Sequence, residues 1–403
     1  QNNSWMMRCF YFPDGSALVM LGVLLICVML IFIMPRLRLV SCLLMKKNTE
    51  RRGRQMATLA TVLGLGVFLT LWRVWRFPPP EIPQNKGIFN AACKCQSFAC
   101  LRRAFKKADE KNIKLHKVPY FWLGGCQKCG TTSMYGLLAR HPQIIEPEPK
   151  EPGYFAWPSV IRMTSQKWYI HQVLRLHEAC DRGLDRVATF DATAYYLQWD
   201  SRIAQNIRAS APWAKAVFVF REPIARAMSW LQHMALKFPH LPNCLHYHDM
   251  ACCVQQSWFF FSDHHLHGSL YYTHLHSWLT IGGWSMKSMH FVQFEDILEF
   301  GLAHVYANIL AFLGLDLSHS ANLTSTETQP ANRRSTRPYN ISINDFTNMV
   351  NYVRNDTYKL SQLLRRDFVW PQIWQRQLAQ CRRDHVCQID LLPPPISSVP
   401  VFL

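Results

Sequence analysis

Lys128 lies in the run Gly124-Gly125-Cys126-Gln127-Lys128-Cys129-Gly130-Thr131-Thr132-Ser133, the part of the chain best suited to handle an anion. Glycines let the backbone turn its N–H groups inward, the lysine brings a point charge, and the hydroxyls open the next element. The apolar run Val118–Leu123 leads in and predicts a strand; the amphipathic stretch Ser133–Arg140 leads out and predicts a helix. Strand, glycine-rich turn and helix N-terminus make a phosphate cradle, because the first N–H groups of the helix and the positive end of its dipole face the ligand. A Walker A loop places lysine after its last glycine, followed by the Ser or Thr that holds magnesium. Here Lys128 comes before Gly130, so the lysine and hydroxyls can serve the phosphate without a metal.

A second junction has the same logic. Ala216–Phe220 is a continuous apolar run, as in a strand buried on both faces. Arg221 stands at its carboxyl end, and Ser229 falls two turns into a helix predicted over Ile224–Leu236. An Arg and a Ser so placed would grip a second phosphate, which implies a ligand with two separate phosphate groups. Arg333-Arg334-Ser335-Thr336-Arg337 would close over it as a loop. Between the two junctions, the Pro-rich loop Glu146–Pro152 carries Lys150 and Glu151.

The elements that must position these residues alternate. Helices are predicted over Trp168–Cys180, Asp200–Ala209, Ser269–Thr280 and Asp296–Leu313, and strands over Val187–Asp191 and His290–Phe294. Strands alternating with helices give an α/β fold, a parallel sheet flanked by helices. Ligands of such sheets bind at the carboxyl ends of the strands.

These motifs resemble those of sulfotransferases that use 3′-phosphoadenosine 5′-phosphosulfate (PAPS), a family with a P-loop-type parallel sheet. The resemblance implies that Lys128, Cys129, Gly130, Thr131 and Thr132 hold the 5′-phosphosulfate, and that Arg221 and Ser229 hold the 3′-phosphate. It makes Arg337 the best-matched base of a late nucleotide-binding loop. Lys150-Glu151-Pro152-Gly153-Tyr154-Phe155 is similar to a K-E-x-H-aromatic-aromatic segment of the heparan 3-O and galactosaminoglycan 6-O branches, whose Glu is the proposed general base; Gly153 replaces the His. Asp191-Ala-Thr-Ala-Tyr195 with Trp199-Asp200, and the Gly268–Leu279 stretch, resemble segments of N-acetylgalactosamine 4-sulfate 6-O-sulfotransferase. The resemblance covers about Val118–Trp374. It implies sulfuryl transfer from PAPS, with no metal, to a glycosaminoglycan hydroxyl, at C6 of N-acetylgalactosamine (4-sulfate) in chondroitin or dermatan sulfate. A heparan O-sulfotransferase, or an inactive membrane-anchored glycan binder of the same fold, is the alternative. A lumenal nucleotide kinase is disfavoured by the lysine position.

Composition sets the surroundings. The 403 residues are 49% hydrophobic and carry a formal charge of +18, a field that attracts nucleic acid, anionic lipid or an acidic polysaccharide. Ala17–Met34 and Ala57–Trp72 are apolar, and a basic stretch, Arg36 to Arg54, separates them. By the positive-inside rule that stretch is cytosolic and everything after Trp75 is lumenal, which disfavours nucleic acid as partner. The expected organisation is residues 1–56 as an N-terminal segment of uncertain membership, since Met45 also reads as a start; 57–75 as a signal anchor; 76–117 as stem; 118–375 as the catalytic domain; and 376–403 as a tail. A Golgi membrane location follows.

Sequons at Asn322, Asn340 and Asn355 and eleven cysteines after the second apolar segment agree with a secretory compartment. An odd count leaves a thiol over, or a homodimer, disulfide-linked or not. Cys126 and Cys129 read as fillers of the phosphate loop rather than a redox pair. The histidines between 246 and 276 read as polar surface or groove residues, for no metal-binding spacing accompanies them.

Overall fold

In a computed structural model of the chain, residues 86–156, 164–198, 201–237, 250–321 and 339–389 are described. Both apolar N-terminal stretches, the Arg333–Arg337 cluster and Trp199-Asp200 lie outside them. No helix among the described residues is long and apolar enough to cross a membrane.

Five parallel strands form the central sheet: β1 (Phe121–Gly125), β2 (Ile144–Ile145), β3 (Ala188–Asp191), β4 (Lys215–Phe220) and β5 (Met289–Gln293), in the spatial order β2-β3-β1-β4-β5. All five residues of β1 are buried, as are Ala216 to Phe220 of β4, which is why these strands read as apolar runs rather than alternating ones. The sequence expectation therefore holds, with β1 displaced toward the glycines. Pro119 cannot donate to the ladder, and pairing starts with Tyr120, whose N–H donates to the Thr189 carbonyl at 2.8 Å.

The helices used below are α1 (Phe98–Glu110), α2 (Thr131–Arg140), α3 (Ser201–Ser210), α4 (Pro223–Lys237), α5 (Tyr271–Thr280), α6 (Leu302–Leu313), α7 (Ile343–Leu364) and α8 (Trp370–Asp384). The helix expected over Asp296–Leu313 is two, Phe294–Phe300 and α6, because Gly301 at φ +83° breaks the ladder between them. The one expected over Trp168–Cys180 also breaks, into a turn through Val173 and a helix Leu176–Arg182, with Arg175 at φ +51° between.

Two segments differ from their expected stem and tail. Lys86–Cys93 and α1 are helical; α1 buries Phe98, Leu101 and Phe105 in the main core, where Phe105 meets Trp213 edge-on at 5.0 Å. Cys93 is disulfide-bonded to Cys180, and Cys95 to Cys100. At the other end, α8 runs past residue 376, and strand β7 (Cys387–Ile389) pairs antiparallel with β6 (Tyr339–Ile341). A Cys381–Cys387 disulfide closes that turn. Their charged, half-exposed helices hide the apolar stripe that packs inward, so composition alone reads them as linkers.

Candidate active site

β1 and β4 pair in parallel, Leu123 opposite Val217 and, past an irregularity at Gly124, Gly125 opposite Phe218. The loops that leave their carboxyl ends are therefore side by side, and the Cys126 N–H donates to the Val219 carbonyl at 2.7 Å. This adjacency places the Lys128 loop against the Arg221 junction.

In the loop, Lys128 takes a left-handed conformation, φ +68°, and Gly130 caps α2 at φ +87°. A β-carbon on Gly130 would stand 2.9 Å from the Phe294 ring, so both backbone angle and space demand glycine. Thr131 is buried at the helix start, while Lys128 and Thr132 are half-buried. Cys126 and Cys129, expected as loop fillers rather than a redox pair, are disulfide-bonded to each other across Gln127 and Lys128. The Tyr271 hydroxyl of α5 lies 3.5 Å from the Cys126 sulfur and 3.9 Å from that of Cys129, and donates to the Arg221 carbonyl at 2.8 Å.

Arg221 is buried, and its Nη1 donates to the Lys128 carbonyl at 2.7 Å. Its guanidinium sits 4.7 Å from the centre of the Phe294 ring. Arg226, one turn into α4, donates through Nε to the preceding loop carbonyl, Gln127, at 3.2 Å. Two arginines from one strand–helix unit thus hold consecutive carbonyls of the phosphate loop. Ser229, also buried, lies one turn beyond Arg226 on α4.

Glu222 follows Arg221 and opens α4. Its carboxylate accepts from the Ile224 N–H at 2.9 Å and the Ala225 N–H at 2.5 Å, an N-terminal cap with Pro223 beside it. The Trp374 indole donates to it at 2.6 Å. Glu295, at the matching junction after β5, accepts from the Glu222 N–H at 2.9 Å and from the Trp370 indole at 3.1 Å. Burial pushes both carboxyls above the usual range, and Arg221 beside Glu295 partly offsets this. Sequence reasoning passed over Glu222, Glu295, Arg226 and Tyr271. The signal for Glu222 was Arg-Glu-Pro, a carboxylate next to proline at a helix start. The others are joined only by the fold.

Glu151 is exposed and ion-paired with its neighbour, Lys150 Nζ to Glu151 Oε1 at 2.5 Å. Behind it the loop is fixed. Gly153 has φ +62°, a left-handed conformation that glycine adopts without the steric cost a side chain carries there. Its N–H donates to Thr193 Oγ1 at 3.1 Å. The Thr193 hydroxyl and N–H both donate to Asp191 Oδ1, at 2.6 and 2.8 Å. Tyr169 and Tyr196 donate to Asp191 Oδ2 at 2.5 and 3.0 Å. Asp191 is wholly buried, and burial raises its pKa to about 6 against the pull of its donors. This carboxylate anchors the Glu151 loop from behind.

Arg337 lies outside the described residues. Among the described residues no group of His, Cys, Asp and Glu is arranged to hold a metal ion. His264 Nδ1 lies 3.3 Å from the Gln127 side-chain oxygen, at the edge of the loop.

Comparison with known proteins decides the family. The sulfotransferase domain family matches residues 119–352, more than half the chain. The chain belongs to that family. Rat carbohydrate sulfotransferase 15 is 23% identical over 337 residues, 68% of this chain and 59% of the relative, so the chain spans less than two thirds of that protein. The membrane-associated sulfotransferase kil1 of Dictyostelium discoideum is 22% identical over 64% of this chain and 67% of its own. Among solved structures, a sulfotransferase from Alicyclobacillus acidocaldarius covers 63% of this chain and 98% of its own at 19% identity, with a TM-score of 0.46.

Proposed function

We propose that this sulfotransferase moves a sulfuryl group from PAPS to a hydroxyl of a glycosaminoglycan sugar, with C6 of N-acetylgalactosamine (4-sulfate) in chondroitin or dermatan sulfate as the first acceptor to test. The observation that carries the reading is the Arg221–Lys128 contact at 2.7 Å. It joins a lysine-bearing helix N-terminus to an Arg/Ser helix, the two anion sites that a donor with separate 5′ and 3′ phosphates requires.

The residues divide the reaction between them. The 5′-phosphosulfate sits on the N–H groups of Lys128 to Thr132, and the 3′-phosphate on Arg221 and Ser229, with Arg337 as a further donor contact. The acceptor oxygen attacks sulfur, and the bond from sulfur to the bridging phosphate oxygen breaks. Glu151 takes the hydroxyl proton, and 3′,5′-bisphosphoadenosine leaves. Lys128 stabilises the charge growing on the bridging oxygen, where a preorganised cation acts in a partly dehydrated site. The Lys150 ammonium, 2.5 Å from Glu151 Oε1, fixes where the carboxylate stands. Beyond Trp75 basic residues still outnumber acidic ones, an excess that serves an anionic donor and an anionic glycan alike.

The apolar stretch Ala57–Trp72, the sequons and the disulfides support a membrane-anchored protein with this domain in the Golgi lumen. Incubation with sulfur-labelled PAPS and a panel of chondroitin, dermatan and heparan acceptors, in chelator, tests the reading. Label on a 4-sulfated galactosamine acceptor supports it. Label on heparan alone moves the acceptor class, and binding of donor and glycan without transfer sinks the enzymatic reading.

A further inference from the structure

Arg226 is a fully buried cation that the donor reading leaves unused. It is joined to the protein by neutral oxygens. Nε donates to the Gln127 carbonyl at 3.2 Å; Nη1 donates to the His265 carbonyl at 2.5 Å and the Ser269 hydroxyl at 3.1 Å; Nη2 donates to the His264 carbonyl at 2.6 Å. Ser269 in turn donates to the Pro223 carbonyl at 3.0 Å, the first residue of Arg226's own helix. One guanidinium therefore fastens three separate segments: the phosphate loop, α4, and the turn 264–269 that leads into α5.

Its charge is a different matter from its hydrogen bonds. Among the described residues no carboxylate pairs with Arg226, and its neighbour in charge is another cation, Arg221. The nearby buried acids, Glu222 and Glu295, act on Arg221. Burial pulls the Arg226 guanidinium down to about 10. A buried cation facing carbonyl dipoles and a second arginine carries a desolvation penalty that a nearby anion would relieve. The donor phosphates belong beside it, since Arg226 holds the residue before Lys128 and lies one turn before Ser229.

We propose that Arg226 is a positioning residue whose charge is compensated by the phosphates of the bound donor, so that donor binding strengthens the contacts by which Arg226 holds the 264–269 turn to the phosphate loop. The inference rests on the donor reading above. Arg226 does not contact the reacting atoms; it sets where the Lys128 carbonyl and ammonium stand by holding the preceding peptide. Lysine in its place keeps the charge and loses the fork that reaches several carbonyls at once.

Calorimetry with 3′,5′-bisphosphoadenosine on wild type, R226K and R226Q tests this, alongside kinetics with PAPS. R226Q is expected to bind the bisphosphate at least about tenfold more weakly, because a low-dielectric charge is gone. R226K is expected to bind within about threefold of wild type yet to turn over about tenfold more slowly, because charge stays and geometry does not. A merely structural arginine would lower thermal stability in both variants without this split. A folded R226Q that binds within about twofold of wild type, or an R226K as weak as R226Q, overturns the proposal. Should R226Q not fold, hydrogen exchange on wild type decides: the bisphosphate must slow exchange in residues 264–269 as well as 126–130, and no change in 264–269 overturns it. A wild type that binds no bisphosphate overturns the donor reading itself, and the two failures are thereby told apart.

Discussion

The two sides of the site are built on opposite principles. On the donor side, Arg221, Glu222, Arg226 and Glu295 are buried, and loop carbonyls, helix N–H groups and two indoles hold them together. On the side proposed for the acceptor, Glu151 is exposed and ion-paired with the adjacent Lys150. A nucleotide is the same molecule at every turnover, so its site can be preorganised and dehydrated, at a cost in buried charge. On the proposed function, a polymeric glycan would have to slide in and present one hydroxyl, which suits a base carried on a loop near solvent. Rigidity there is moved one layer back, to Asp191 and Thr193 under Gly153.

Replacing the proposed base should break the contrast most sharply. Glu151→Gln keeps the shape of the side chain and removes its basicity, so kcat should fall by about 10²–10⁴ with donor Kd unchanged. Steady-state kinetics with calorimetry checks both, and weakened donor binding would make Glu151 part of the rigid side instead.

Next comes Lys128→Ala. It should lower kcat by about 10²–10³, the worth of one preorganised group at developing charge, with the thermal transition preserved. Activity within threefold of wild type would take the loop out of the reaction.

Asp191→Asn tests whether the acceptor side is anchored from behind. The amide keeps one acceptor oxygen and replaces the other with a donor, so either Thr193 or the pair Tyr169 and Tyr196 loses its acceptor, at about 1–3 kcal/mol of stability. The sign with pH is set by burial. With the native carboxyl at about 6, Asp191 supports the fold fully below the ordinary carboxylate range. That support is lost as pH rises through about 6, because the unfolded chain ionises first. The stability gap between wild type and Asp191→Asn should therefore narrow from pH 4.5 to 7.5, as denaturant unfolding would show; a gap that widens would mean the carboxylate is held ionised.

The last of these tests sharpens the donor side. Arg221→Ala should weaken 3′,5′-bisphosphoadenosine by about 10–100-fold, the worth of a hydrogen bond to a charged group. Adenosine 5′-phosphosulfate, which has no 3′-phosphate, should lose only about fivefold, because the Lys128 carbonyl loses one donor. Equal losses by calorimetry would assign Arg221 to the loop alone.

The strands were legible because strands buried on both faces are continuous apolar runs, and Ala216–Phe220 could hardly be anything else. The two-residue β2 at the sheet edge was not, for Ile144-Ile145 is too short to show a period. The helical stem was missed because lysines and arginines on the outer face of α1 mask Leu101 and Phe105 within it. The paired cysteines at 126 and 129 were visible by spacing, yet their bond depends on how the loop turns.

What the sequence by itself determined is the local chemistry. Gly130 and Lys128 between strand and helix put inward-turned N–H groups and a positive charge within one turn of each other, the local chemistry on which the proposed anion site rests. Arg221 at a strand end and Glu222 before proline are set the same way. Only the tertiary structure decided that these act together. The parallel register of β1 and β4 brings Arg221 and Arg226 to carbonyls about a hundred residues earlier. The packing of α8 delivers Trp370 and Trp374 to the two buried glutamates. No local pattern encodes those distances, because they are fixed by which buried surfaces fit one another once the sheet has formed.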